Sequence, residues 1–262
     1  MLNATRLEDR SLLHVSGEEA LSFLQALVTN DIAKAQAGNM VYSCLLTAQG
    51  RFLHDFFITH DGTDGFYLEC ERARREDLAR RLSVFRLRAK VKIEDEADTF
   101  DVYTGTGDGH FQDPRLSALG RRFYLSVSER LADALPVAVW RDYRISLGVP
   151  EGSDLHPEID TLAHANLDHL NAVGWTKGCY VGQEITNMTK TRGTAKKRMV
   201  ILEGEGLAPG SIFHGESIAG ELRAVNSTAT QGLAVIRLAA LDGPLALDEK
   251  FVTARLPGWL SL

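Results

Sequence analysis

Apolar residues recur along the first ninety or so positions at two different spacings, and the spacings separate helix from strand. Ala20, Leu21, Phe23, Leu24, Leu27 and Val28 fall three and four apart, the interval that lines one face of an α-helix. Ser16, followed three residues later by Glu19, predicts a capping box at the start of that helix, each side chain meeting an amide left unpaired by the first turn. Positions 40–46 and, after Gly50, 52–58 predict two strands. The turn-forming run Asp61-Gly62-Thr63-Asp64-Gly65 separates the second from a third strand at 66–70, so the three make an antiparallel meander. Leu78 and Leu82, one turn apart among charged residues, predict a basic helix over 71–82. Phe85, Leu87, Ala89, Val91 and Ile93 then alternate with Arg86, Arg88, Lys90 and Lys92, which predicts a strand with one dry and one wet face.

The middle of the chain carries shorter signals. Thr104-Gly105-Thr106-Gly107-Asp108-Gly109 reads as a tight turn; it lacks the GxGxxG spacing and the Walker lysine, and gives no support for an NAD or ATP site. Asp113-Pro114-Arg115 is a second turn, 124–127 and 137–140 predict short strands with a helix between them, and 148–158 is irregular enough to build a site loop. A short helix is expected around 166–170. From Lys196 onward, short apolar segments at 199–202, 211–213, 218–225, 233–237 and 251–254 are punctuated by Gly and Pro, the signature of a small antiparallel barrel or sandwich. The fold class is therefore α+β. Residues 1–195 form mixed antiparallel sheets and helices, with two subdomains dividing near 95–150, and 196–262 form a β-barrel-like domain.

A length of 262 residues suffices for two or three modules, and 44% hydrophobic with 24% charged residues is ordinary globular composition. A net charge of -6 gives no general attraction to nucleic acid. The charge is uneven, however. Positions 72–92 hold nine Arg or Lys against two acids, and Lys190, Arg192, Lys196, Lys197 and Arg198 make a second basic run. A solvated face beside the core is the first reading of the 72–92 run, and an anion or nucleic-acid surface the alternative. The opening Met1-Leu2-Asn3-Ala4-Thr5-Arg6 lacks a secretory pattern, and no apolar stretch reaches the roughly 20 residues of a membrane span. A cytoplasmic protein without membrane contact is expected.

The three cysteines, Cys44, Cys70 and Cys179, include no CxxC pair and no Cys/His cluster at zinc spacing. No self-contained metal site is expected, and an iron-sulfur cluster would sit on a partner or between chains. Cys179 lies in Lys177-Gly178-Cys179-Tyr180-Val181-Gly182-Gln183-Glu184. Lys177 is placed to stabilise a thiolate, the glycines allow tight turns or close approach, and Gln183 and Glu184 supply donor, acceptor and anion. The thiolate could serve as nucleophile, redox sensor or soft metal ligand; the alternative is a small buried hydrophobe at a bend. His164 and His169 are near in sequence, as weak partners for the thiol or as caps and solvent-exposed groups.

Larger motifs surround the octet. Tyr143-Arg144-Ile145-Ser146-Leu147-Gly148-Val149-Pro150-Glu151-Gly152, Asn166-Leu167, the octet itself and Arg192-Gly193 resemble the YgfZ/Iba57/CAF17 family, which is related to the glycine-cleavage T-protein. Phe23-Leu24-Gln25, Thr29-Asn30-Asp31 and Leu45-Leu46-Thr47-Ala48-Gln49-Gly50-Arg51 with Asp55 extend the resemblance over nearly the whole chain. It implies a T-protein-like folate-binding region and a C-terminal β module, with tetrahydrofolate or a related reduced folate as cofactor. The implied role is a folate-binding accessory factor in the assembly or repair of iron-sulfur proteins, whose partners are client enzymes or assembly proteins. Carried over by position, Cys179 and Lys177 are the functional pair, and Asp55, Arg51, Tyr180, Gln183 and Glu184 are folate-side residues. The chain departs from the pattern at His54, where T-proteins place their catalytic aspartate, at Met188, where the family commonly has Arg, and at His164, where relatives often have an acid or amide. The first departure disfavours ordinary aminomethyl transfer. A folate-dependent one-carbon transferase and a tRNA-modification-associated protein are the alternative functions.

Overall fold

The computed structural model describes residues 4–36, 38–105, 111–193 and 195–261, so the expected glycine-rich turn falls, from residue 106 on, outside the described residues. The chain divides into two compact units interleaved in sequence: Met1–Val137 with Leu170–Gln183, and Ala138–His169 with Glu184–Leu262.

In the first unit the elements run β1 (Ala4–Arg6), β2 (Arg10–Ser16), α1 (Ala20–Leu27), α2 (Ala33–Gln36), β3 (Val41–Leu46), β4 (Phe52–His60), β5 (Gly65–Glu71), α3 (Arg75–Arg86), β6 (Lys92–Asp95), β7 (Phe100–Gly105), β8 (Phe111–Gln112) and β9 (Arg121–Ser126). A five-stranded sheet has the order β3-β4-β5-β2-β6, and a four-stranded sheet the order β1-β7-β9-β8. Alternation sorts the side chains of the larger sheet onto two faces. On one, Leu13, Val15, Phe56, Ile58, Phe66 and Leu68 pack with Phe23, Leu24 and Leu27 of α1 and Leu78 and Leu82 of α3 in a continuous apolar core. The spacing of those helical residues is what made both helices legible.

On the other face the sheet carries charge. Arg10 Nε donates to Glu69 at 3.1 Å, and Arg122 of β9 donates to Glu69 and, at 2.9 Å, to Asp113, which also takes Arg115 at 2.9 Å. Tyr42 donates its hydroxyl to Asp55 at 3.0 Å, with Arg10 4.0 Å from the same carboxylate. The guanidinium groups of Arg115 and Arg122 lie over the Phe57 ring at 4.8 and 4.0 Å. Buried charges persist only when paired and hydrogen-bonded, and here three guanidinium groups face three carboxylates.

Several expected elements are corrected. The capping box does not form: Ser16 ends β2, Glu19 makes no side-chain cap, and its carboxylate instead accepts from the Lys90 amide at 2.7 Å. No strand spans 85–93. Helix α3 continues to Arg86, Leu87 turns the chain at φ 44, and only Lys92–Asp95 pairs with β2. Residues 137–140 open a helix, α4 (Val137–Ser146), because the buried positions Trp140, Arg144 and Ile145 recur at helical spacing. The helix expected just before it is a short 3-10 turn, Val127–Glu129. Residues 166–170 form turns rather than a helix, with Asn166 at φ 58 and Asn171 at φ 57.

The second unit holds α4, α5 (Gln183–Arg192), β10 (Lys197–Glu203), β11 (Gly210–His214), β12 (Ser217–Val225), β13 (Gln231–Arg237), β14 (Leu245–Leu247) and β15 (Lys250–Arg255). The six strands close into a barrel in the order β10-β13-β12-β11-β14-β15, with β15 returning to β10. Closure removes the exposed edges an open sheet would leave. Of the two β architectures the spacing allowed, the barrel is the one formed; β14, three residues long, gave no readable signal. Val200, Leu202, Ile212, Leu222, Ala234 and Ile236 fill the interior. Arg144 is buried against Asp154 at 2.6 Å, and Trp140 Nε1 donates to Glu151 at 3.1 Å, so the motif at 143–152 is structural in its charged members.

Candidate functional site

Burial distinguishes the cysteines. Cys44 and Cys70 are buried in the sheet and Cys179 is exposed. Desolvation raises the Cys44 pKa well above its ordinary value and pushes Cys70 up to about 12, so both are inert thiols. The reading of Cys179 as a small buried hydrophobe fails on its exposure.

The segment carrying Cys179 is tied to the first unit by groups of the Thr29-Asn30-Asp31 motif. Thr29 Oγ1 donates to the Ala172 carbonyl at 2.6 Å, and Asn30 Nδ2 to Asn171 and Tyr42 carbonyls at 2.6 and 2.9 Å. Gly174 donates its amide to Thr29 O at 3.0 Å; a Cβ there would stand 2.9 Å from the Asp31 amide nitrogen. Beyond it, Lys177 Nζ donates to the carbonyls of Gln25, Val28 and Asn30 at 2.8, 2.5 and 3.0 Å. These acceptors sit at and just past the end of α1, where a helix leaves carbonyls unpaired and its dipole favours a cation. Burial lowers the Lys177 pKa to about 8, and its ammonium lies 5.1 Å from the Tyr180 ring centroid. The lysine charge is thus engaged with backbone oxygens.

Gly182 supplies the second anchor. At φ +83, a Cβ on it would fall 2.6 Å from Thr47 O and 3.2 Å from Gly50 Cα, so glycine is required for the loop to lie against the turn between β3 and β4. Gly178, beside Cys179, has open space where its Cβ would be. Cys179 therefore stands on an exposed crest between two fixed points.

The residues expected on the folate side are spread over distinct surroundings. Arg51 is exposed at the β3–β4 turn, where its amide donates to Thr47 Oγ1 at 3.1 Å. Tyr180 is buried and Gln183 half-buried, its amide nitrogen 3.5 Å from Gly178 O. Glu184 is exposed in the first turn of α5. Asp55 lies inside the buried charge network. His54 faces the opposite side of β4, with Nε2 2.9 Å from Asp77 of α3. Burial and the nearby Arg74 drop its pKa to about 4, outweighing the Asp77 carboxylate, whose hydrogen bond and charge push it the other way. His164 pairs with Asp160 at 3.2 Å.

Sequence reasoning missed Arg10, Glu69, Asp113, Arg115 and Arg122. Their one signal was a charge set among apolar strand residues, as at Glu69 within Phe66-Tyr67-Leu68-Glu69-Cys70. A cavity of about 240 Å³ in the same unit is lined by Asn30, Lys34, Tyr42, Asn171 and Val173 among others. Among the described residues no group of three or more His, Cys, Asp or Glu is placed to hold a metal ion. No described helix is long and apolar enough to cross a membrane.

Comparison with known proteins agrees with this architecture. Residues 9–104 match the GCVT N-terminal domain, and residues 196–262 the C-terminal β-barrel domain of CAF17. A crystal structure of the glycine cleavage system aminomethyltransferase T from Bartonella henselae shares the fold, with a TM-score of 0.79 over 99% of this chain and 86% of that one at 16% identity. The iron-sulfur cluster assembly factor IBA57 homolog of Neurospora crassa is 33% identical over 78% of this chain, which spans only 55% of that protein. The IBA57 proteins of mouse and human are each 30% identical, covering 97% of this chain and 84% of their own length. All three are mitochondrial by name, which overturns the cytoplasmic location expected above; that expectation rested on signals for secretion and membranes, which do not report on mitochondria. With both domain models matched in order and the mouse and human likeness running almost end to end, the chain belongs to the YgfZ/Iba57/CAF17 family.

Proposed function

We propose that this chain is a folate-binding accessory factor in the assembly or repair of iron-sulfur proteins, and that it acts on a client enzyme or assembly protein through Cys179. The observation that carries the reading is the exposed thiol held between the Lys177 and Gly182 anchors. A thiolate is a soft ligand for iron, and a cluster asks for about four such ligands. A single exposed cysteine would contribute one and leave the others to the partner, with the cluster as cargo.

Folate follows from the family. Around the 240 Å³ cavity, the exposed Asn171 would bring a side-chain amide to its head group and Lys34 a cation to the anionic tail, while the Asn30 amide is already spent on the Asn171 and Tyr42 carbonyls. Its volume is below the roughly 300 Å³ at which pockets for whole drug-sized molecules begin, so the tail would lie outside it. When bound, a reduced folate would supply one-carbon or redox chemistry. Ordinary aminomethyl transfer is disfavoured, since His54 is engaged with Asp77 and Asp55 is enclosed by Tyr42 and Arg10.

The test is Cys179→Ser in cells that lack the native factor. The variant should fold with an unchanged melting temperature and retain folate binding, while client enzymes lose their cluster absorbance and activity. Full restoration of client activity by Cys179→Ser would overturn the reading.

A further inference from the structure

Helix α3 ends in a segment that the apolar core does not use. Its buried positions stop at Leu82, yet the next residues are Val84 (66% exposed), Phe85 (44%) and Leu87 (88%). Interleaved with them are Arg86 and Arg88, both exposed. Their side chains make no ion pair or hydrogen bond among the described residues, whereas the basic neighbours Arg80 and Arg81 are bound to Asp77 and Lys90 to Glu18. Leu87 holds a backbone conformation of φ 44, ψ -105, a strained region for a residue other than glycine. An aliphatic side chain held in that conformation and exposed to water gains nothing from the fold that offsets either cost.

We infer that Val84, Phe85 and Leu87, flanked by Arg86 and Arg88, form a docking knob for an acidic, apolar-anchored segment of a partner protein. The apolar side chains supply the desolvated centre that carries binding energy, and the two free guanidinium groups supply a rim that attracts carboxylates and sets orientation. Charge complementarity selects an acidic partner. The apolar share of the knob favours protein over nucleic acid, whose backbone would be met by the cations alone. The knob stands apart from the Cys179 reading: each can fail without the other.

The experiment uses the full chain and a fluorescein-labelled amphipathic peptide of leucine and glutamate in helical spacing, followed by fluorescence anisotropy. The expected result is saturable binding that weakens with salt, falls about tenfold or more in Arg86→Glu/Arg88→Glu, and falls likewise in Val84→Ser/Leu87→Ser. Cys179→Ser should bind as the parent does. Circular dichroism melting of each variant should match the parent, since the altered side chains are exposed; Phe85, the least exposed of the three apolar residues at 44%, is left in place. The proposal is overturned if the peptide fails to bind, if its lysine-for-glutamate counterpart binds as well, or if the variants bind unchanged. Tighter binding of single-stranded RNA, lost in the charge-reversal variant, would assign the surface to nucleic acid instead. Self-association of the parent in sedimentation, lost in Val84→Ser/Leu87→Ser, would assign it to a second copy.

Discussion

Lys177 and Gly182 sit within five residues of each other and do different physical work for the same loop. Lys177 directs its ammonium at the carbonyls of Gln25, Val28 and Asn30, and a methionine there would keep the stem but leave those oxygens without a charged donor. Lys177→Met should cost about 3 kcal/mol, read from urea unfolding, since one hydrogen bond to a charged group contributes 1.5 to 3 kcal/mol. Gly182 is needed for its missing Cβ, which would otherwise meet Thr47 O at 2.6 Å, and for its positive φ. Gly182→Ala should therefore cost about 2 kcal/mol, whereas Gly178→Ala, with nothing near its would-be Cβ, should stay within about 0.5 kcal/mol. Equal losses at the two glycines would contradict the two-anchor description of the Cys179 loop.

At the level of elements, the pairing of strand β4 with helix α3 has a pH signature. His54 on β4 titrates near 4 in the folded protein, against 6.5 for the free side chain. Below pH 6.5 the unfolded chain takes up a proton at His54 that the folded chain refuses until about pH 4, so stability present above 6.5 is lost as pH falls through that window. The full window is worth about 3 kcal/mol. Asp77, held down to about 2 by Arg81 and His54 against the desolvation that would raise it, adds a second loss only as pH falls from 3.8 toward 2. Replacing His54 by Gln should flatten the difference in urea midpoint between pH 7 and pH 4.5; a parent protein whose midpoint does not move would refute it. The same pair of elements shows how far the sequence could be read. Strands β3, β4 and β5 were legible as short runs bounded by turn residues, and helix α1 as one apolar stripe that faces the core. The run at 85–93 carried an alternation that helix α3 overrode by continuing to Arg86. Four residues at 137–140 were too few to tell a strand from the first turn of α4, whose stripe needs Arg144 and Ile145 to become visible.

Over the molecule as a whole, what was legible is what lies close in sequence. The barrel announced itself through short segments after Lys196, and the Cys179 loop through one octet. The buried network of the first unit was not legible, because its partners are joined only by folding: Glu69 meets Arg10 and Arg122, which lie 59 and 53 positions away. That network makes a separable prediction. Arg122 is fully buried and serves both Glu69 and Asp113, so Arg122→Met should leave each with one guanidinium group fewer and cost about 3 to 5 kcal/mol, as breaking a buried pair does. Adding Glu69→Leu removes the under-paired carboxylate as well, though it also takes one carboxylate from Arg10, which keeps the residue-69 carbonyl and Asp55, so recovery should be partial. A double-mutant cycle by urea unfolding would then show a coupling of about 1 to 3 kcal/mol. Strictly additive losses would mean that the two groups contribute independently. The Cys179 loop is held by other groups, so client maturation per folded molecule should be unchanged in Arg122→Met, and only the amount of folded protein should fall.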